Sequence, residues 1–283
     1  MGVPRSRCMV VSGSLLNLIT RDYVEDVRRL NTRFSLSGNT ELAEHIPPHT
    51  FVGNLSGVTP GDCVLLMGIN PFLGSGAEFQ RLNIDLPNNC IEMWNRTGKI
   101  GAFKKWMDFQ ENYFLSDAYN GKHFTKIGNL LGRRWFSETY DSYDEKMRSR
   151  MVMHHHLIEF DVIPYYSKNA SFNSKELAEA METDPALMVH MDFISSIIKQ
   201  TEPRWIQVNG NGPTKVMMEC FVDGDVKILN DGNSLRTEIR VGYSKIGDTR
   251  IPVLMHKFLK SPNGPQSFAD WDIIWETWNN WLT

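Results

Sequence analysis

Three polar side chains stand where short apolar runs give out. Asn70 follows "LLMGI" and opens the turn "NPFLG", Asp161 lies within "HLIEFDVIPYYS", and His256 closes "IPVLMH". An amide on a Gly-x-Asn-Pro turn can hold a water through its oxygen, although it is no strong base. A carboxyl accepts hydrogen bonds when ionised, and donates one when burial keeps it protonated. An imidazole can donate to an oxygen on which negative charge develops. Together these groups suit a hydrolysis in which a water is placed and a leaving group is stabilised. Each also has a plainer reading. Asn70-Pro71 is a turn opener, Asp161 faces solvent or caps a neighbour, and His256 is a polar strand terminus. Alternation in "EFDVI" puts Glu159, Asp161 and Ile163 on one strand face, with Phe160 and Val162 on the other.

Those residues need elements to carry them. "CVLLMGIN", "HLIEFDVIPYYS", "RWIQVNGNG" and "IPVLMHKF" read as buried strands. Helical spacing is expected over 20–34 with Thr20 as cap, over 143–153, 174–182 and 185–200, and from Pro213 onward. "DVKILNDGNSLRTEIRVG" reads as a hairpin around Asp231-Gly232. Ser267 and Asp270 form a capping box for a last helix over 267–282. Strands alternating with helices imply a central, mainly parallel four-stranded sheet with helices on both faces. Such sheets bind ligands beyond the carboxyl ends of their strands, where "GINPFLGSG", Asp161, "NGNG" and His256 all fall. One domain over 1–283 is expected, with insertions around 79–136 and 222–249.

Three features are set aside. His154, His155 and His156 are consecutive, cannot converge on one metal, and are expected at a solvated helix end. Trp271, Trp275, Trp278 and Leu282 recur at helical spacing and are expected in the core. Gly210-x-Gly212 lacks the third glycine of a dinucleotide fingerprint.

Composition narrows the classes. The chain has 283 residues and a formal net charge of −3, so a basic groove for nucleic acid must be local. No apolar run is long enough to cross a membrane. The basic, partly apolar start resembles a weak signal peptide, but Ser12, Gly13 and Ser14 interrupt it, and a first structured element is expected instead. Cys8, Cys63, Cys90 and Cys220 are scattered, which points to reduced thiols in a cytoplasmic protein and to no metal cluster.

The strand-end motifs, in order, resemble those of the uracil-DNA glycosylase superfamily. "GINPFLG" is similar to its first motif, with the Gly-Ile-Asn-Pro opening of the mismatch-specific branch. "FDVIPYYS" falls where members carry the base-reading residue, "PRWIQVNGNGPTKVM" is similar to the third strand and its turn, and "MHKFLKSPNGP" resembles the last motif with its DNA-wedging loop. The likeness covers about 59–268. It departs at His256-Lys257-Phe258, where members carry His-Pro-Ser, at Phe72, and at Asp161, where uracil-specific members carry Asn. The resemblance implies a three-layer α/β/α fold and a monofunctional DNA glycosylase without a cofactor. Asn70 would position the water and His256 would donate to the base O2. Asp161 would read the base, and its acceptor-or-acid character fits the amine of a cytosine-like or modified pyrimidine better than uracil. Gly68, Ile69, Phe72, Phe79 and Asn211 would line the substrate pocket. Lys257, Phe258, Leu259, Lys260, Ser261 and Asn263 would meet DNA, with Phe258 or Leu259 as wedge. Repair, or defence against phage with modified bases, would be the setting. A non-catalytic nucleic-acid- or partner-binding protein on the same fold is the alternative, and an unrelated hydrolase using Asp161 and His256 is a third reading.

Overall fold

The computed structural model describes residues 13–36, 40–119, 124, 127–128, 131, 140–169, 171–229, 238–246, 249–257, 265 and 267–282. Among the described residues six strands form one mixed sheet: β1 (Val64–Gly68), β2 (Leu157–Asp161), β3 (Trp205–Asn209), β4 (Lys227–Leu229), β5 (Ile239–Ile246) and β6 (Thr249–His256). The order is β2-β1-β3-β6-β5-β4. β2, β1, β3 and β6 run parallel, and β5 and β4 continue the sheet antiparallel. The expected four strands are thus six. The segment read as an inserted hairpin joins the sheet because the β6 edge would otherwise leave a row of backbone groups unpaired. Its turn at Asp231-Gly232 lies outside the described residues.

Every residue of β1, β2 and β3 is buried, as expected of parallel strands covered on both faces. The helices are α1 (Gly13–Ile19), α2 (Tyr23–Phe34), α3 (Ala77–Gln80), α4 (Leu86–Thr97), α5 (Lys104–Asn112), α6 (Glu145–His156), α7 (Ser174–Thr183), α8 (Pro185–Thr201), α9 (Asn211–Val216) and α10 (Phe268–Leu282). Leu65, Met67, Ile158, Phe160, Ile206, Val208, Val253 and Met255 pack with α1, α2, α7, α8 and α9 on one face. Val64, Leu66, Leu157, Trp205 and Leu254 pack with α6 and α10 on the other. The two sets alternate along each strand, the period-two pattern that the sequence showed for β2.

Local chemistry sets several boundaries. Helix α2 starts after Asp22, whose side chain accepts from the Glu25 backbone N–H, so the cap lies two residues beyond Thr20. Before α10 the Ser267 N–H donates to Asp270 and the Asp270 N–H to Ser267 Oγ, the reciprocal box expected. Trp271, Trp275 and Trp278 of α10 are buried core residues. The His run corrects the sequence reading: His154 and His156 are buried, not solvated. They end α6 one residue before β2, and the His156 ring meets the Tyr140 hydroxyl at 3.0 Å and the Asp62 carbonyl at 2.8 Å. Behind the sheet, buried Asp26 accepts from Arg21 and Arg29, and Arg29 also grips Asp184, the cap of α8.

Candidate functional site

The parallel register brings four residues to one level. Gly68 pairs with Asp161, and Asn209 pairs with His256. Since Met67 pairs with Val208, the row runs Asp161, Gly68, Asn209, His256 across the carboxyl ends of β2, β1, β3 and β6. Asn70 stands two residues past Gly68. The chain there is held open by a second ladder: Val162 and Ile163 donate to the Gly68 and Ile69 carbonyls, Ser167 to Pro71, and Leu73 to Ser167. The turn is therefore a fixed ledge along the segment after β2.

That ledge orients Asn70. Its Nδ2 donates to Ser167 Oγ at 2.7 Å, to the Pro71 carbonyl at 3.2 Å and to the Tyr165 carbonyl at 3.4 Å. Ser167 donates its own proton to the Asn169 carbonyl, so it can only accept from Asn70. Among the described residues no group donates to Asn70 Oδ1, which leaves that oxygen as a free acceptor on a half-buried side chain.

Asp161 is 7 % exposed, and its carboxylate receives no hydrogen bond among the described residues. It lies against Gly68, where an added Cβ would sit 2.1 Å from Asp161 Oδ1. The glycine of the first motif is thus required by the carboxyl across the ladder. Burial, and then the charge of Glu159, push the Asp161 pKa well above the usual carboxylate range. Glu159, on the same strand face, is pushed up to about 8 by burial. His49 completes the group from an extended segment antiparallel to β2, with Nε2 3.7 Å from Glu159 Oε2. Burial lowers its pKa. The ligand atoms of His49, Glu159 and Asp161 lie within 4.8 Å of one another, the grouping among the described residues that a metal ion could occupy.

His256 is placed differently. As the last residue of β6 its ring turns under α10, 5.2 Å from and edge-on to Trp271. Nδ1 meets the Lys257 carbonyl at 2.8 Å and Nε2 meets Gln207 Nε2 at 3.1 Å. A carbonyl can only accept and an amide nitrogen only donate, so Nδ1 carries the proton and Nε2 is the acceptor. Burial drives the ring pKa down to about 4. The neutral imidazole therefore has no N–H free for a base oxygen. The sequence could not show this, because Gln207 comes from a different strand.

The other expected site residues divide. Phe72 is 72 % exposed, its ring turned out from the ledge. Phe79 is half-buried, packs over Gly74 and meets Tyr166 edge-on at 5.5 Å. A cavity of about 440 Å³ lies between Phe72–Gly76 and Phe79, with Gln80, Ile84 and Lys168 completing its wall. Ile69 points into the core toward Gly212 and Leu177. Asn211 is exposed at the start of α9, after a turn at Gly210 with φ of 114° that disfavours any side chain. Lys257 is half-buried. Phe258, Leu259, Lys260, Ser261 and Asn263 lie outside the described residues.

Sequence reasoning missed His49, Glu159, Asn83, Tyr166 and Ser167. Glu159 had a signal, an acidic residue among the apolar residues of a strand read as buried. His49, in "IPPHTF", had none. The described cysteines offer no thiolate: burial raises the Cys63 thiol to about 12, the Cys220 thiol to about 11, and the Cys90 thiol as well. No family model matches the chain, and no curated protein matches it in sequence.

Proposed function

We propose that the chain is a monofunctional DNA glycosylase of the uracil-DNA glycosylase type, with a three-layer α/β/α fold, acting on a flipped cytosine-like or modified pyrimidine. The observation that carries this reading is the pairing of Asn70 and Asp161. One is an amide whose nitrogen is fully engaged and whose oxygen is free. The other is a buried, unpartnered carboxyl at the end of the neighbouring strand, paired with Gly68 two residues before Asn70. Hydrolysis of a glycosidic bond needs a water held at the sugar carbon and a pocket that binds the departing base. Asn70 Oδ1 is suited to the first task. Asp161 in its acid form is suited to the second, as donor to N3 and acceptor from the exocyclic amine.

Phe72 supports a substituted base. A ring at this position that covered the base C5 edge would reject a bulky group there. Here it is turned to solvent and lines the cavity. Phe79 is the ring available for stacking on the base. Lys257 directly precedes the expected wedge in sequence.

The occupied ring of His256 favours a second reading, a nucleic-acid- or partner-binding protein without catalysis. Incubation with oligonucleotides and phage DNAs of varied base content, followed by alkaline cleavage at abasic sites, separates the two. The glycosylase reading expects abasic sites at cytosine-type bases. It expects loss of roughly a hundredfold or more in Asn70→Ala with DNA binding retained, and a shift toward uracil in Asp161→Asn. Binding without abasic sites in any DNA would leave the second reading standing.

A further inference from the structure

The reading above uses Phe72 only through its absence from the base, and leaves unexplained why the ring stands in water. The backbone on either side of it is fixed: Ser167 donates to the Pro71 carbonyl at 3.2 Å, and Leu73 donates to the Ser167 carbonyl at 2.8 Å. The side chain is nonetheless the most exposed aromatic ring among the described residues. It forms one wall of the cavity of about 440 Å³, a volume within the range of small-ligand sites, about 300–1,000 Å³. A second wall, the Phe79 ring, is braced from behind. It meets Tyr166 edge-on, the Tyr166 hydroxyl donates to Asn83 Oδ1 at 3.0 Å, and Asn83 Nδ2 donates to the Phe79 carbonyl at 3.3 Å. The polar groups of the cavity suit an anion. Lys168 is exposed beside it and forms no ion pair among the described residues. The backbone N–H groups of Gly74, Ser75 and Gly76 have no acceptor among the described residues. No carboxylate is among the residues that line the cavity.

We propose that this cavity holds the nucleotide next to the flipped one, its base stacked on Phe72 and its phosphate bound by Lys168 and the free N–H groups of Gly74, Ser75 and Gly76, so that the substrate is single-stranded DNA. This rests on the glycosylase reading. Phe72 stands two residues past Asn70, and two residues of extended chain span at most about 7 Å. A strand whose sugar meets the water on Asn70 therefore brings its next nucleotide to Phe72. An aromatic ring beside an unpaired lysine and three unused N–H groups matches a base joined to a phosphate. A purely apolar ligand would leave the lysine and the amides unused, and a free inorganic anion would leave the ring in water. In a duplex the neighbouring base stays paired and stacked, and cannot enter a recess in the protein. An unpaired strand gives up its bases at far lower cost. Ring stacking accepts every base, so this subsite selects strandedness and not sequence.

The experiment uses oligonucleotides with one target base, cytosine or 5-methylcytosine, flanked by adenines. Each is prepared as an intact single strand, as a strand with a tetrahydrofuran spacer replacing the neighbouring nucleoside on the 5′ or the 3′ side, and annealed to its complement. Binding and base release are measured for wild type, Phe72→Ala and Lys168→Gln. The wild type should favour the single strand over the duplex. A spacer on one side only should weaken binding and kcat/KM by about 5- to 150-fold. Phe72→Ala should lose the same factor on the intact strand and nothing more on that spacer strand, since mutation and spacer remove one and the same contact. Its melting temperature should be unmoved, because the ring is exposed. Lys168→Gln should lower the slope of log binding constant against log salt by about 0.7. A preference for duplex, losses from Phe72→Ala and the spacer that multiply, or a Phe72→Ala variant that binds and cleaves as wild type does would overturn the proposal and leave the glycosylase reading intact. So would a loss in Phe72→Ala that follows the C5 substituent of the target and ignores the neighbour, since the cavity would then belong to the target base itself. Absence of base release from every DNA would overturn the glycosylase reading, and this subsite with it.

Discussion

Replacing Glu159 by Gln should stabilise the protein, and more so as the pH rises. Glu159 is 5 % exposed, and burial moves its pKa from 4.5 to about 8. A folded-state pKa above the unfolded value means that the folded protein retains a proton which the unfolded chain releases. The destabilisation is absent below the unfolded value and grows as pH rises through the window up to about 8. Each pH unit costs about 1.4 kcal/mol, so at pH 7 the ionisable carboxyl costs the fold about 3 kcal/mol. Glutamine keeps the shape and removes this linkage. Urea unfolding of both proteins at pH 5, 6, 7 and 8 should show a gap of about 1 kcal/mol at pH 5 that widens to about 3 kcal/mol at pH 7. A difference that does not change with pH, or a variant less stable than wild type at pH 8, would mean that Glu159 is ionised and compensated in the fold, and the account of the buried acid pair would fail.

Gly68→Ala should displace the Asp161 carboxyl, because the new Cβ would lie 2.1 Å from Oδ1. A loss of about 1–3 kcal/mol is expected, and wild-type stability in a thermal melt would contradict the packing described. His256→Ala should act mainly on stability, since it leaves buried Gln207 without its acceptor, at about 1–3 kcal/mol. A fall in kcat for base release by orders of magnitude with an unchanged melting temperature would instead return His256 to the chemistry. Asp26→Asn should cost about 3 kcal/mol at pH 7 by leaving Arg21 and Arg29 without their shared carboxylate. The Asp26 pKa is lowered in the fold, against its burial, by hydrogen bonds from the two arginines. Its contribution is therefore present above pH 4 and lost as pH falls below, so the gap between wild type and variant should close in acid.

Much of the fold was legible in the chain because short-range physics wrote it there. Short, largely apolar runs ending in a polar residue or glycine marked the buried parallel strands, and period-two alternation in β2 put Glu159 and Asp161 on a common face. Ser267 and Asp270 announced their helix start, and the tryptophan stripe of α10 announced its buried side. Asn70 was legible as the polar residue on a Gly-x-Asn-Pro turn. What the sequence could not carry was contact between residues far apart in the chain. That His49 meets Glu159 depends on an extended segment pairing against β2. That Asn70 has only its oxygen free depends on Ser167 and Tyr165, brought alongside by the ladder after β2. His256 looked the same in sequence whether its nitrogens were free or bound, and only the pairing of β3 with β6 set Gln207 against it. The His154–His156 run looked solvated because consecutive imidazoles at a helix end usually face water, yet His154 and His156 are buried, His156 against Tyr140 and Asp62. Even the need for glycine at position 68 is a tertiary fact: it arises from a carboxyl 93 positions later in the chain, placed one strand away by parallel pairing.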